Sequence, residues 1–257
     1  MPKRPTSYAR PENLNDALQL LAQPNTVPLG GGTKLLTGDV AVAVVDLQNL
    51  GLNQVEWMSD SLRVGASITL TDLTSALKPD GPAPLLKQAI HQAGPNTYRN
   101  AATLGGTIAS RLPDSELLAA LLTLDAQLIV NNNEMALTDY LAAGERPSGL
   151  ITAVTIPWTA GQGRSERVAR TPADYPIVSV TCWQPDGATP RLAATGLGER
   201  PFRLTDAESH LTGGLTPDSI EAAAQAAQAA CVHPGDFRGD ANYRAAMAAT
   251  LTKRVCK

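Results

Sequence analysis

Pro28-Leu29-Gly30-Gly31-Gly32-Thr33-Lys34-Leu35-Leu36 and Arg99-Asn100-Ala101-Ala102-Thr103-Leu104-Gly105-Gly106-Thr107-Ile108-Ala109-Ser110 are the two stretches on which the reading of this chain turns. The first follows a short strand around Val27–Leu29. Three successive glycines let the backbone take positive φ and approach a ligand closely. Their N–H groups, with those of Thr33 and Lys34, can form an anion nest at the start of a short helix. The spacing excludes two common phosphate loops. GxGxxG fails because Leu35 stands where the third glycine belongs, and no GxxxxGKS/T frame surrounds Lys34. A tight strand–helix turn without a ligand fits the same residues.

The second stretch places a glycine pair inside a Thr-rich segment expected to be extended. Small residues leave space, and threonine hydroxyls can donate to phosphate or polyol oxygens. A helix from Asp114 to Leu124 follows directly, capped by Asp114 or Ser115, and its N-terminus favours an anion. Glu116 in its first turn can accept hydrogen bonds from sugar-like hydroxyls. A bulged strand and an ordinary helix-dipole carboxylate are the plainer readings of the same residues. Two anion loops suit a dinucleotide, which carries two phosphates and a long polar midsection.

Outward from these loops, the first fifty residues read as a small α/β unit. It comprises a helix over Pro11–Ala22 with Leu14, Ala17, Leu18 and Leu21 on one face, then the strand at Val27–Leu29 and a buried strand over Val40–Leu47. From Val55 hairpins alternate with helices. Val55–Met58 pairs with Leu62–Ala66, and Ala126–Val130 with Met135–Leu137 around Asn131-Asn132-Asn133. Thr69 caps a helix to Leu77, Pro84 opens another that ends near Gly94, and Ile151–Pro157 reads as a strand. Gly161-Gln162-Gly163-Arg164-Ser165 reads as a linker. Beyond it, strands at Ile177–Trp183 and Arg191–Ala194 precede two helices, Pro217–Cys231 and Asp240–Val255, in a C-terminal domain of about 90 residues. Both Ala-rich helices are expected to pack internally rather than to dock a partner.

Composition narrows the function. Of 257 residues, 21 are Lys or Arg and 24 are Asp or Glu, a net charge of -3 that argues against nucleic-acid binding. The three cysteines, Cys182, Cys231 and Cys256, are scattered, and the three histidines form no paired motif, so no metal site is expected in this chain. No apolar segment follows the basic start and none is long enough to span a bilayer, which leads to an expected cytoplasmic location. No nucleophile, general acid or general base stands out as catalytic.

In order and content these motifs resemble the flavin-binding medium subunit of molybdenum hydroxylases, the group of carbon monoxide dehydrogenase and xanthine dehydrogenase. Gly30-Gly31-Gly32-Thr33-Lys34-Leu35-Leu36 is similar to the family's Ala-Gly-Gly-Thr-Asp-Leu-Leu. Arg99 to Ala109, followed by Pro113 and Glu116-Leu117, is similar to its Arg-Asn-x-Ala-Thr-Ile-Gly-Gly-Asn-Ile-Ala and Ser-Pro-x-x-Asp-Leu. Tyr8-Ala9-Arg10-Pro11, Asp174-Tyr175-Pro176 with the strand after it, and Asp236-Phe237-Arg238-Gly239 with Tyr243-Arg244 match the family's remaining signatures. The resemblance covers nearly the whole chain. Lys34, Thr107, Leu112 and Glu116 depart from the family's usual residues and bear on cofactor affinity.

The resemblance implies an α+β chain: a two-subdomain FAD-binding fold of the vanillyl-alcohol oxidase type over residues 1–160 (subdomains about 1–52 and 53–160), and a small C-terminal strand–helix domain over 165–257. It implies noncovalent FAD held by Leu29, Gly30, Gly31, Gly32, Thr33, Lys34 and Leu35, by Thr103, Gly105, Gly106, Thr107 and Ala109, and by Glu116 and Tyr175. It also implies an electron-transfer role, with a molybdopterin cofactor on a large partner subunit and two-iron two-sulfur clusters on a small one. Two other readings share the fold: a stand-alone flavin reductase, and a flavin-free assembly subunit.

Overall fold

The computed structural model describes residues 5–37 and 41–257. Val40, the expected start of the second strand, lies outside the described residues. The N-terminal unit consists of β1 (Ser7–Ala9), α1 (Leu14–Leu21), β2 (Thr26–Leu29) and β3 (Ala43–Asp46), with the strands parallel in the order β1-β3-β2. Helix α1 starts at Leu14 rather than Pro11 because the Asn13 side chain accepts the Asp16 N–H and sets the cap there.

The second unit is an antiparallel sheet in the order β4-β5-β8-β6-β7. It is built from β4 (Val55–Trp57), β5 (Ser61–Gly65), β6 (Gln127–Val130), β7 (Asn133–Ala136) and β8 (Ile151–Pro157). The β6–β7 turn is a two-residue loop in which Asn131 and Asn132 both take left-handed φ, 48° and 67°, matching the twist of the strands it joins. Five helices intervene: α2 (Leu70–Ala76), α3 (Ala83–Gln92), α4 (Asn96–Arg99), α5 (Leu104–Ser110) and α6 (Glu116–Thr123). A sixth, α7 (Leu137–Ala142), follows β7 without a break and is absent from the sequence reading.

Helix α6 is the centre of the molecule. All eight of its residues are buried, which is how a helix apolar on every side behaves. It packs on α3 on one side and on the C-terminal sheet on the other. The core of the second unit therefore reaches into the later chain and includes Trp183 and Ala193.

The C-terminal sheet has four strands in the order β12-β11-β10-β9, all antiparallel: β9 (Gly161–Val168), β10 (Val178–Pro185), β11 (Arg191–Thr195) and β12 (Phe202–Arg203). The expected linker at Gly161–Ser165 is thus the start of a strand. Its glycines serve packing: a Cβ on Gly163 would lie 2.7 Å from Leu85 Cβ on α3. The expected strand–strand–helix–helix order is likewise too short, because β9 and β12 complete the sheet.

Three helices and a small hairpin close the chain: α8 (Thr205–Ser209), α9 (Pro217–Ala229), β13 (Gly235–Asp236), β14 (Gly239–Asp240) and α10 (Ala241–Val255). Helices α9 and α10 pack on each other, and Ala223, Ala224, Ala227 and Ala248 are fully buried, small side chains that allow close approach. Among the described residues no helix is long and apolar enough to cross a membrane.

Candidate functional site

The two glycine loops are packed directly against each other, and their contacts explain the glycines. A Cβ on Gly31 would sit 1.6 Å from the Ala101 carbonyl oxygen, and one on Gly30 would sit 2.7 Å from Thr103 Oγ1. Gly32 has φ 71°, a conformation that glycine reaches without a Cβ penalty. The short 3-10 turn at Leu35–Thr37 follows, closed by the Leu36 N–H on the Gly32 carbonyl at 3.0 Å. The N–H groups of Gly30, Gly31, Gly32, Thr33 and Lys34 donate to no described residue. Gly31 and Lys34 are exposed. A run of N–H groups without a partner among the described residues can form an anion nest.

The second loop is a helix start, not the expected extended segment. Thr103 caps α5 by accepting the Gly106 N–H at 3.1 Å, and its carbonyl accepts the Thr107 N–H at 2.9 Å and the Thr107 hydroxyl at 2.9 Å. The Leu104 and Gly105 N–H groups donate to the carbonyls of Ile68 (3.0 Å) and Ala66 (2.8 Å). Gly105 is needed because a Cβ there would meet Ala66 Cβ at 2.7 Å. All four N–H groups of this turn are therefore engaged within the chain. Thr107 is buried, Ala109 partly so, and Gly106 is exposed.

Ser115 caps α6, and Glu116 opens its first turn. The Glu116 side chain is 2% exposed. Arg167 Nη1 on β9 donates to Glu116 Oε2 at 3.1 Å, while Oε1 is buried without a partner among the described residues. Burial pushes the Glu116 carboxyl up to about 7, Arg167 opposes that shift, and the Asp114 charge adds to it.

A cleft of about 500 Å³ opens beside Tyr175, lined by Arg170, Thr171, Asp174, Tyr175, Phe237 and Arg238. Lys34 Nζ lies 5.9 Å from the centroid of the Tyr175 ring, which brings the first loop to this cleft. Burial, with Tyr98 and Asp114 nearby, raises the Tyr175 hydroxyl above its ordinary pKa. Arg167 also donates to the Asp174 carbonyl. Contacts thus run continuously from Lys34 through Tyr175 and Asp174 to Arg167 and Glu116.

Sequence reasoning missed Arg167, and it assigned no role to Arg238 or Arg244. Arg238 pairs with Asp114 at 3.2 Å and Asp236 at 3.3 Å, holding the β13–β14 hairpin against the start of α6. Arg244 is fully buried and donates to the carbonyls of Ile177 (2.5 Å), Gly196 (2.9 Å) and Gly239 (3.2 Å) and to Asp236 at 2.7 Å. Although its burial works the other way, hydrogen bonds from Arg244 and the Arg238 backbone hold the Asp236 carboxyl well below the usual carboxylate range. The late signature from Asp236 to Arg244 is therefore built around the buried Arg244 guanidinium. Nothing in its local sequence spacing marks Arg167 out; only the pairing of β9 puts it beside α6.

The C-terminal sheet is thus docked on the half of the chain that carries both glycine loops. Residues 4–159 match the family model described as the FAD binding domain in molybdopterin dehydrogenase, and residues 166–257 match the CO dehydrogenase flavoprotein C-terminal domain. The chain belongs to this family, the FAD-binding medium subunits of the molybdenum hydroxylases, and is an oxidoreductase subunit. Among similar proteins, the uncharacterized protein YgfM of Escherichia coli K12 is 31% identical over 92% of this chain and 90% of its own. The glyceraldehyde dehydrogenase medium chain of Sulfolobus acidocaldarius is 26% identical over 98% and 97%. The fold matches that of carbon monoxide dehydrogenase from Hydrogenophaga pseudoflava at TM-score 0.90, with 23% identity over 99% of this chain and 97% of that one.

FAD is the cofactor of this family, and the residues present fit it. A run of free N–H groups suits a diphosphate. An unpartnered buried carboxylate oxygen suits a hydroxyl-bearing chain, because such an atom is costly unless something donates to it.

Proposed function

We propose that this chain is the electron-transfer subunit of a molybdenum hydroxylase, passing electrons from iron–sulfur clusters through FAD to an external acceptor. Its partners are a large subunit that carries the molybdopterin cofactor and a small subunit that carries two-iron two-sulfur clusters. Relatives named as medium chains of multi-subunit dehydrogenases support this assembly. The complex works in the cytoplasm, and residues 1–160 and 165–257 act as its cofactor-binding and C-terminal domains.

The single observation that carries the reading is the N–H run from Gly30 to Lys34, which donates to no described residue and includes glycines whose Cβ positions neighbouring atoms already crowd. In this reading Leu29 to Leu35 cradle the diphosphate, and Lys34 adds a positive charge beside it. Thr103 presents a hydroxyl from the facing wall. Gly105 and Ala109 keep that wall thin, Gly106 offers open surface, and Thr107 holds the helix start to Thr103. Glu116 accepts from ribityl hydroxyls through Oε1, and Tyr175 covers the ring system. Bound FAD supplies one- and two-electron chemistry. The protein's residues bind and orient it and keep bulk water from Glu116.

The purified chain or complex should be yellow, with flavin absorption bleached by reductant, and should co-purify with the two partner subunits. Colourless protein that gives no spectral change with added FAD overturns the reading. Substrate-dependent turnover by the isolated chain would favour the stand-alone reductase instead.

A further inference from the structure

We propose that Arg167 is a positioning residue that couples cofactor binding at Glu116 to the closure of the Arg170–Tyr175 segment over the cleft. This deepens the FAD reading above and rests on it. The geometry is a two-handed guanidinium. One hand, Nη1, donates to Glu116 Oε2 at 3.1 Å, and the other, Nη2, donates to the Asp174 carbonyl. Arg167 is 17% exposed and Glu116 2%, so the Glu116 end of the link is shielded from water, whereas the Asp174 end lies at the surface.

The link joins two parts of the chain with different exposure. Glu116 sits on a fully buried helix, whereas residues 170–175 are exposed. Only a planar fork reaches two acceptors in fixed relative orientation, which a lysine ammonium on the same strand does not reproduce. The bond to Oε2 turns the other carboxylate oxygen, Oε1, away from Arg167 and leaves it unpartnered. A hydroxyl that donates to Oε1 favours the ionised carboxylate, which strengthens its pairing with Arg167 and so the hold on Asp174. Tyr175, the next residue, is thereby fixed at the cleft, with Lys34 of the first loop on its ring. The charged groups acting on Glu116 are Arg167 and Asp114, and Asp114 is itself paired with Arg238.

The test uses the full chain and three readouts: FAD affinity from quenching of flavin fluorescence, its pH profile, and trypsin cleavage after the exposed Arg170. In the wild type, FAD should slow cleavage at Arg170, and affinity should fall as pH drops through about 7. Arg167→Met should weaken FAD binding about tenfold or more, as loss of a charge-assisted pair does. It should also move the pH midpoint upward and abolish FAD protection of Arg170. Arg167→Lys should restore much of the affinity and the midpoint but not the protection. If Arg167→Met does not fold, the lysine variant decides alone. Wild-type affinity and wild-type protection in either variant overturns the proposal. A wild-type chain that binds no FAD defeats the functional reading itself, and that result cannot be confused with failure of the coupling.

Discussion

The two glycine loops share a composition and differ in where their N–H groups point. In the first, Gly30 to Lys34 donate to nothing described; in the second, Leu104 to Thr107 are all bonded within the chain. The glycines differ in the same way. Gly31 leaves room for the Ala101 carbonyl so that the free loop can lie flat on its neighbour, whereas Gly105 lets α5 sit on Ala66. In the proposed reading the first loop is the cradle and the second chiefly the frame that shapes it. Glycine-rich sequence alone does not distinguish them; the hydrogen-bond ledger does.

The largest test of this contrast is Gly31→Ala. Its methyl would fall 1.6 Å from a backbone oxygen that no rotamer change can move aside. The two loops must separate, at a cost of at least about 3 kcal/mol. Thermal unfolding should show a chain that is far less stable, and the surviving folded fraction should carry no flavin. A stable, yellow Gly31→Ala protein would mean that the loops do not pack as described.

Next in size is the titration of Glu116. Its carboxyl is ordinary at 4.5 in the unfolded chain and about 7 when folded, so between those values the folded state keeps a proton the unfolded state has lost. Stability from this group is therefore greatest below pH 4.5, declines as pH rises, and is gone above about 7. The full swing is on the order of 3 kcal/mol. Glu116→Gln should flatten this slope in denaturant melts at pH 5, 6, 7 and 8. Saturating FAD should flatten it too if a ligand hydroxyl occupies Oε1, which ties the carboxylate to the cradle rather than to the frame.

Gly105→Ala probes the frame alone. Its methyl meets Ala66 Cβ at 2.7 Å and the Ala66 carbonyl at 3.0 Å, contacts that cost about 2 kcal/mol. Flavin affinity of the folded fraction should change much less than in Gly31→Ala. Equal losses of affinity in the two variants would erase the distinction between the loops.

Much of this was legible in the sequence because local rules and tertiary demands agree. Thr69 caps α2, Ser115 caps α6, and the Asn131-Asn132 turn closes its hairpin, each set by residues within a few positions. The failures share one cause. Gly161–Ser165 resembles a linker, and Thr103–Thr107 an extended segment, because glycine reports only that something comes close, not what. In both places the close neighbour, Leu85 or Ala66, is remote in sequence. The candidate site was legible as loops and one carboxylate. Arg167 and its two acceptors, 51 and 7 residues away along the chain, were not, since no period or spacing encodes them.

The smallest effect belongs to Lys34, and it bears on the cradle's electrostatics. Its ammonium is exposed and stands 5.9 Å from the Tyr175 ring, a contact worth about 0.5 kcal/mol at an open site. Lys34→Met should leave the melting temperature of the cofactor-free chain almost unchanged. A cation beside a diphosphate acts through a field that salt screens over about 10 Å at 0.1 M. FAD affinity of the wild type should therefore fall as salt rises, and the Lys34→Met protein should respond less. Gly105→Ala carries no charge change, so its salt response should equal the wild type's. If Lys34→Met matches the wild type in affinity and in salt slope, the first loop holds its anion by backbone N–H groups alone, and the lysine serves only to lie over Tyr175.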